Sequence, residues 1–222
     1  MSYICLMNDV MNSYLMLFLI SAICVFLTPS ISEAQTSRFE QYNLKYGITI
    51  KIPKHWKILE SQLMAQIDTN TEIITGIGQG NNDILIAANY YDNNTSSSAA
   101  ATVRVSLRLK QTSSQSDIAK MPQSELDNQA EQGYQIAIAA LEKSGDKTTK
   151  ITPYRITKDN ISGYIAIRAD YQEIGISHKK NISIYSIFLG NKVIKVTMSY
   201  DDAQGSILAS TINEIKNSVT IN

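Results

Sequence analysis

Hydrophobic residues recur along this chain with two periods, and the change from one to the other marks where strands give way to helices. In Tyr46–Pro53, Ile48, Ile50 and Ile52 alternate with Thr49 and Lys51, which predicts a strand ended by Pro53. Trp56, just beyond it, is expected to pack the strand's exit against the core. Ile84–Tyr91 and Thr102–Leu109 read as further strands, the second with Val103, Val105, Leu107 and Leu109 inward and Arg104, Ser106 and Arg108 opposite. Lys150–Thr157 and Gly163–Tyr171 follow, joined through Lys158-Asp159-Asn160, which has turn chemistry. Asn181–Leu189 and Lys192–Tyr200 flank Gly190-Asn191, a two-residue loop that predicts a hairpin of type II′. In the last strand Ile194, Val196, Met198 and Tyr200 point one way and Val193, Lys195, Thr197 and Ser199 the other. Neither set is purely polar, which implies a sheet covered on both sides.

The longer period appears twice. Across Pro122–Lys143 the apolar members Leu126, Ala130, Tyr134, Ala137, Ile138 and Leu141 keep helical spacing, and Gly145 supplies a stop. Ile207, Leu208, Thr211, Ile212 and Ile215 predict a terminal helix with one apolar face, and Asp201-Asp202 suit its positive dipole end. The segment between Ser61 and Asn82 is less clear: Gln62–Asp68 reads as a helical turn and Glu72–Ile77 as a strand. Gly76-Ile77-Gly78-Gln79-Gly80 matches neither the dinucleotide nor the P-loop spacing and reads as a hairpin loop. Asp92–Ser98 is a polar loop, a candidate for mobility. Together these elements give an α+β class: an antiparallel β-sheet of about six or seven strands flanked by helices on both faces, in a single domain over residues 35–222.

The N-terminus changes the picture. Tyr14–Leu27 is an uncharged apolar run of 14 residues, followed by Pro29 and the small-residue sequence Ser32-Glu33-Ala34. It reads as a secretory signal peptide over residues 1–34 with cleavage after Ala34. As a helix the run spans roughly 21 Å, short of the roughly 30 Å hydrocarbon core, which disfavours a transmembrane anchor. Residues 1–34 contain no Lys or Arg; initiation at Met7 or Met11 would leave the α-amine as the one positive charge. Cys5 and Cys24 both fall in this segment, so the processed chain would carry no thiol and no disulfide. Processing would leave 20 basic against 18 acidic residues, a balance that draws neither nucleic acid nor an anionic membrane surface. The expected location is periplasmic or secreted, with no membrane span after processing.

Tyr-Gly-Ile-Thr-Ile-Lys-Ile-Pro-Lys-His-Trp (46–56), Ala-Thr-Val-Arg-Val-Ser (101–106), the long central helix, Gly163-Tyr164 with its strand, and 185–200 before a terminal helix together resemble the PsbP-like proteins. That group includes an extrinsic photosystem II subunit, a nuclear-import accessory protein and exported bacterial proteins of the DcrB type. The likeness is one of pattern over most of residues 42–221. It implies an antiparallel sheet between helices, no shared catalytic residues, and a role in binding or assembly rather than catalysis.

Candidate chemistry is sparse. His55 and His178 are the two imidazoles, and no HExxH, G-x-S-x-G or S-x-x-K spacing occurs, so neither a metal site, a cofactor nor a catalytic set is expected. His55 reads as a surface or edge residue, His178 as solvated, and the adjacent acids Asp201 and Asp202 as capping groups rather than cation ligands. Arg104, Arg108, Arg168 and Lys195 alternate with core residues on strands and would hold a carboxylate or phosphate ligand if they share a face. The competing reading pairs such cations with Asp170 and Glu173. Tyr90 and Tyr91 are candidate anchors for a protein partner. The function expected is an exported, non-enzymatic envelope protein that binds or assists another envelope protein. The alternatives are a carrier of a small anionic ligand in a helix–sheet cleft and, last, an unrecognised hydrolase.

Overall fold

The computed structural model describes residues 38–60, 82–92, 98–109 and 113–222. The predicted turn, strand and glycine loop between Gln62 and Gly80, and most of the Asp92–Ser98 loop, lie outside the described residues. Contacts divide the chain after Phe39, and the fold belongs to Glu40–Asn222.

The strands are β1 (Phe39–Asn43), β2 (Ile48–Pro53), β3 (Lys57–Ile58), β4 (Asn82–Tyr90), β5 (Ala101–Leu109), β6 (Lys150–Ile151), β7 (Arg155–Ile161), β8 (Tyr164–Ile174), β9 (Lys179–Phe188), β10 (Lys192–Asp201) and β11 (Thr220–Ile221). The helices are α1 (Gln115–Lys120), α2 (Gln123–Ser144) and α3 (Gly205–Ser218). Among the described residues the main sheet has eight strands in the order β3-β4-β5-β10-β9-β8-β6, with β7 also on β8. Every recorded pairing is antiparallel. The meander β7-β8-β9-β10 returns the chain to β5, while α1 and α2 carry it from the sheet's centre to the far edge.

Register fixes which residues share a face, because directly opposed residues of an antiparallel pair project to the same side. Val105, Val196, Tyr185 and Arg168 form one such row; Arg104, Thr197, Ile184 and Ala169 form the row behind it. Under α2, Ala137 and Leu141 pack on Tyr171, Ile182 and Ile184. Beside them Ile118 of α1 and Leu126 and Ala130 of α2 pack on Ile156 and Ile167. The opposite face carries Ile194, Val196, Met198, Val105 and Ile187, all buried, and α3 packs against β10 there and against β2. Helices therefore cover both faces of the sheet, α1 and α2 over β7, β8 and β9, and α3 over β10. A fully buried Val or Ile contributes roughly 1.5–3 kcal/mol of transfer free energy, so this double layer dominates stability.

Several expectations need correction. β2 pairs with β11 in a separate three-stranded sheet with β1, although Ile48, Ile50 and Ile52 are fully buried as predicted. Lys158–Asn160 is strand, not turn; the reversal falls at Ser162-Gly163, whose φ angles of 56° and 81° suit a type I′ turn, with Asn160 Oδ1 accepting the Gly163 N–H at 3.0 Å. The run 150–157 is broken into β6 and β7 around Pro153, which has no N–H to offer a ladder. Gln115–Lys120, for which the sequence pattern predicts no element, is a helix, because Ser114 and Asp117 form a capping box at its start. Asp201 stays in β10 and Asp202 bonds Asn181 and Lys179, so neither caps α3, which begins at Gly205. Leu109 and Ile207, both assigned to the interior, are 51% and 75% exposed because each lies at the end of its element. The Gly190 turn has φ 71° at its first central residue, as type II′ demands.

Candidate functional site

The four cations singled out from the sequence do not meet. Arg104, Arg108 and Lys195 lie on one face of β5 and β10, where Lys195 opposes Ser106 and Thr197 opposes Arg104. Arg168 lies on the other face of β8. There its Nε donates to Asp170 Oδ1 at 2.9 Å and its guanidinium stands 5.5 Å from the Tyr185 ring centroid. Lys216 of α3 covers the same ring at 5.3 Å and donates to Asp159 Oδ2 at 2.8 Å. Burial would raise the Asp159 carboxyl, but the bond from Lys216, the Asn160 N–H and the charges of Lys216 and Arg168 hold it below the usual range. Two cations, two carboxylates and a buried tyrosine thus clamp the last turn of α3 to the sheet. Of the pairings anticipated for the strand cations, the one with Asp170 forms.

Glu173 instead meets His178, Nε2 to Oε1 at 3.2 Å, across the β8–β9 tip, so His178 is engaged rather than solvated. The ring occupies the space a side chain at Gly175 would need: a Cβ there would lie 2.2 Å from His178 Cε1. His55 is exposed and meets Tyr90 edge-on at 5.6 Å, while Trp56 stacks on Tyr90 at 6.0 Å. Tyr90 therefore completes the core's edge, whereas Tyr91 is 40% exposed, its hydroxyl accepting from Asn89. Among the described residues no three His, Cys, Asp or Glu side chains converge as a metal would require, and no helix is long and apolar enough to cross a membrane.

Sequence reasoning missed the concave surface between α2 and β7. It is a groove of about 510 Å³ lined by Gln123, Asp127, Ala130 and Glu131 from the helix and by Pro153, Tyr154, Arg155, Ile156 and Thr157 from the strand side. It lies where the chain at Pro153 leaves the ladder between β6 and β7 and Tyr154 packs against the helix. Tyr154 packs against Tyr171 at 4.8 Å and Tyr134 at 6.4 Å. Burial pushes its phenol up to about 12, so the ring stays neutral. A Cβ at Gly133 would approach the Tyr154 ring to 3.1 Å, which explains a glycine inside a long helix. That glycine and Pro153 within a predicted strand are the two signals in the sequence that point to this place. Gln123 Nε2 bridges Asp127 Oδ1 and the Ile156 carbonyl, closing the helix onto the strand at one end of the groove. Neither an imidazole nor a thiol lines it.

No family model and no curated protein matches the chain. Its fold is similar to that of the cyanobacterial PsbP, CyanoP, from Synechocystis sp. PCC 6803, at 9% identity and a TM-score of 0.51, over 88% of this chain and 99% of that one. LpqN of Mycobacterium tuberculosis, described as involved in cell envelope biogenesis, aligns over the same shares at 11% identity and a TM-score of 0.46. The fold is PsbP-like on the first of these, as the resemblance in the sequence implied.

Proposed function

We propose that this chain, a PsbP-like α+β domain behind an N-terminal apolar leader, is an exported, non-enzymatic protein that binds or assists another component of the cell envelope. The observation that carries the reading is the character of the α2–β7 groove: a neutral tyrosine, two carboxylates and a guanidinium around an open cleft, a wall suited to holding a ligand. The 14-residue apolar run and Ser32-Glu33-Ala34 support export, with Gln35 as the first residue of the processed chain.

N-terminal sequencing of the protein recovered outside the cytosol tests the first half; a product that begins before Tyr14 overturns the cleavage. A photo-crosslinker at position 131 tests the second. A discrete adduct with one envelope protein is expected, and absence of any adduct overturns the accessory role.

A second reading, a carrier for a small anionic ligand, is favoured by Arg104, Arg108 and Lys195 sharing one face of β5 and β10. Arg168 takes no part in it. Thermal shifts across a panel of anionic metabolites, with Arg104→Ala/Lys195→Ala as the control, test it; no stabilisation of the native chain by any of them rejects it.

A further inference from the structure

The wall of the α2–β7 groove is sided. Asp127 and Glu131 are one helical turn apart and so project along one stripe of α2. Each is oriented by a neutral amide, Asp127 by Gln123 Nε2 at 2.9 Å and Glu131 by Gln135 Nε2 at 2.8 Å, which fixes the carboxylate without cancelling its charge. Beneath them lie Ala130 and the Tyr154 ring, held edge-on against Tyr134 and tilted against Tyr171. A neutral aromatic face beside two carboxylates attracts a cation, and the apolar floor suits an aliphatic stem. Arg155 on the opposite wall complements a carbonyl or carboxylate further along the bound molecule.

Two features favour a chain over a free amine. Asp127, Glu131, Pro153 and Arg155 are all exposed, so the groove is open along its side and lets a strand of polypeptide pass. Among the described residues β7 pairs with β8 alone, leaving its outer edge beside the groove. At Ile156 the carbonyl on that edge is taken by Gln123, so a guest is read there by side-chain contacts rather than by joining the sheet.

We propose that the groove takes an extended, lysine-bearing segment of the partner protein, with the lysine ammonium between Asp127 and Glu131 and its stem along Ala130 and Tyr154. The proposal rests on the accessory reading and names the chemistry of its partner.

The test is an amide NMR titration of the full chain with the peptide Gly-Ser-Ala-Lys-Ala-Ser-Gly, with its norleucine counterpart, and with cadaverine. The lysine peptide is expected to shift the amides of Gln123, Ala130 and Tyr154. Asp127→Asn/Glu131→Gln, a near-isosteric change at exposed positions, is expected to weaken that response about tenfold and leave the melting temperature unchanged. Equal shifts with norleucine, no shifts, or an undiminished response in the double variant overturn it. Cadaverine binding as well as the peptide overturns the peptide assignment in favour of a small amine. If the peptide fails while the position-131 adduct forms, the accessory reading stands and the lysine assignment falls; if both fail, both fall.

Discussion

The two sides of β10 belong to one strand and obey different rules. On the α3 side Ile194, Val196 and Met198 are buried among Val103, Val105, Leu107 and Ile187, a continuous apolar layer. On the other side Lys195, Thr197 and Ser199 face Ser106, Arg104 and Thr102, and the apolar packing under α1 and α2 begins on the neighbouring strands β9 and β8. Burial of hydrocarbon holds the first side; on the second, polar groups must find partners, as when Thr102 Oγ1 meets Ser199 Oγ at 2.8 Å. The same alternation thus yields an apolar core on one side and on the other a polar face in which Ser106 and Ser199 are themselves buried.

The largest test of that contrast is Ile194→Ala. Truncation at a fully buried position in the sheet's central strand is expected to cost about 3 kcal/mol in urea unfolding, from lost transfer energy and the cavity left behind. A loss below about 1 kcal/mol would mean the α3 layer relaxes to fill the gap and is not the rigid half of the comparison.

Next in size is Gln115→Ala. Gln115 Nε2 donates to the carbonyls of Ile165 and Phe188, both at 3.0 Å, and its Oε1 accepts the Ile165 N–H at 2.8 Å, so one side chain ties α1 to the ends of β8 and β9. Removing it strands partly buried backbone groups and should cost about 2 kcal/mol. Gln115→Glu keeps the acceptor but turns a carboxylate oxygen toward the two carbonyls, so it should cost at least as much; equal stability of all three chains would show that apolar packing alone docks α1.

That glutamine illustrates what the sequence does and does not disclose. The alternation in β10, the helical stripe of α2 and the buried Ile48, Ile50 and Ile52 are legible because each is a periodic property of a few neighbouring residues. Gln115 bonds to residues 50 and 73 positions away, and nothing local marks it. Arg168 shows the same limit: alternation places it opposite Ile167 and Ala169, but whether it shares a face with Arg104 depends on register across three intervening pairings. Of the candidate anchors, Tyr90 was spent on stacking with Trp56, a contact set by the β3–β4 pairing. The groove needs both Gly133 and Pro153, each visible alone, and only the fold brings them together.

A smaller effect is expected at the charged clamp on the α3 side, where hydrocarbon gives way to paired charges. Because the folded Asp159 carboxyl titrates below its unfolded value, near 4, its stabilisation is fully present above that pH and is lost as pH falls through the folded value. Asp159→Asn should therefore be less stable than the native chain by about 1 kcal/mol at neutral pH, discounted for the partial exposure of Asp159 and Arg168. The gap should close in acid. Urea titrations at neutral and acid pH check it, and a difference that widens on acidification would reverse the assignment of the carboxylate as the stabilising partner of Lys216.

The smallest expected effect sharpens the comparison most. Thr197 sits between Arg104 and Ile184 on the polar side of β10, one strand position from the buried Val196 and Met198. If the two sides obey different rules, Thr197→Val, which keeps the β-branched shape and strand preference, should alter stability by no more than about 0.5 kcal/mol. The reverse exchange, Val196→Thr, places a hydroxyl in the apolar layer and should cost about 2 kcal/mol. The pair of substitutions holds strand, neighbours in sequence and atom count constant, so a ratio near one in their urea midpoints would mean that both sides of β10 are equally dry. The contrast between the two sides would then fall, and Arg104, Arg108 and Lys195 would be pieces of a closed core.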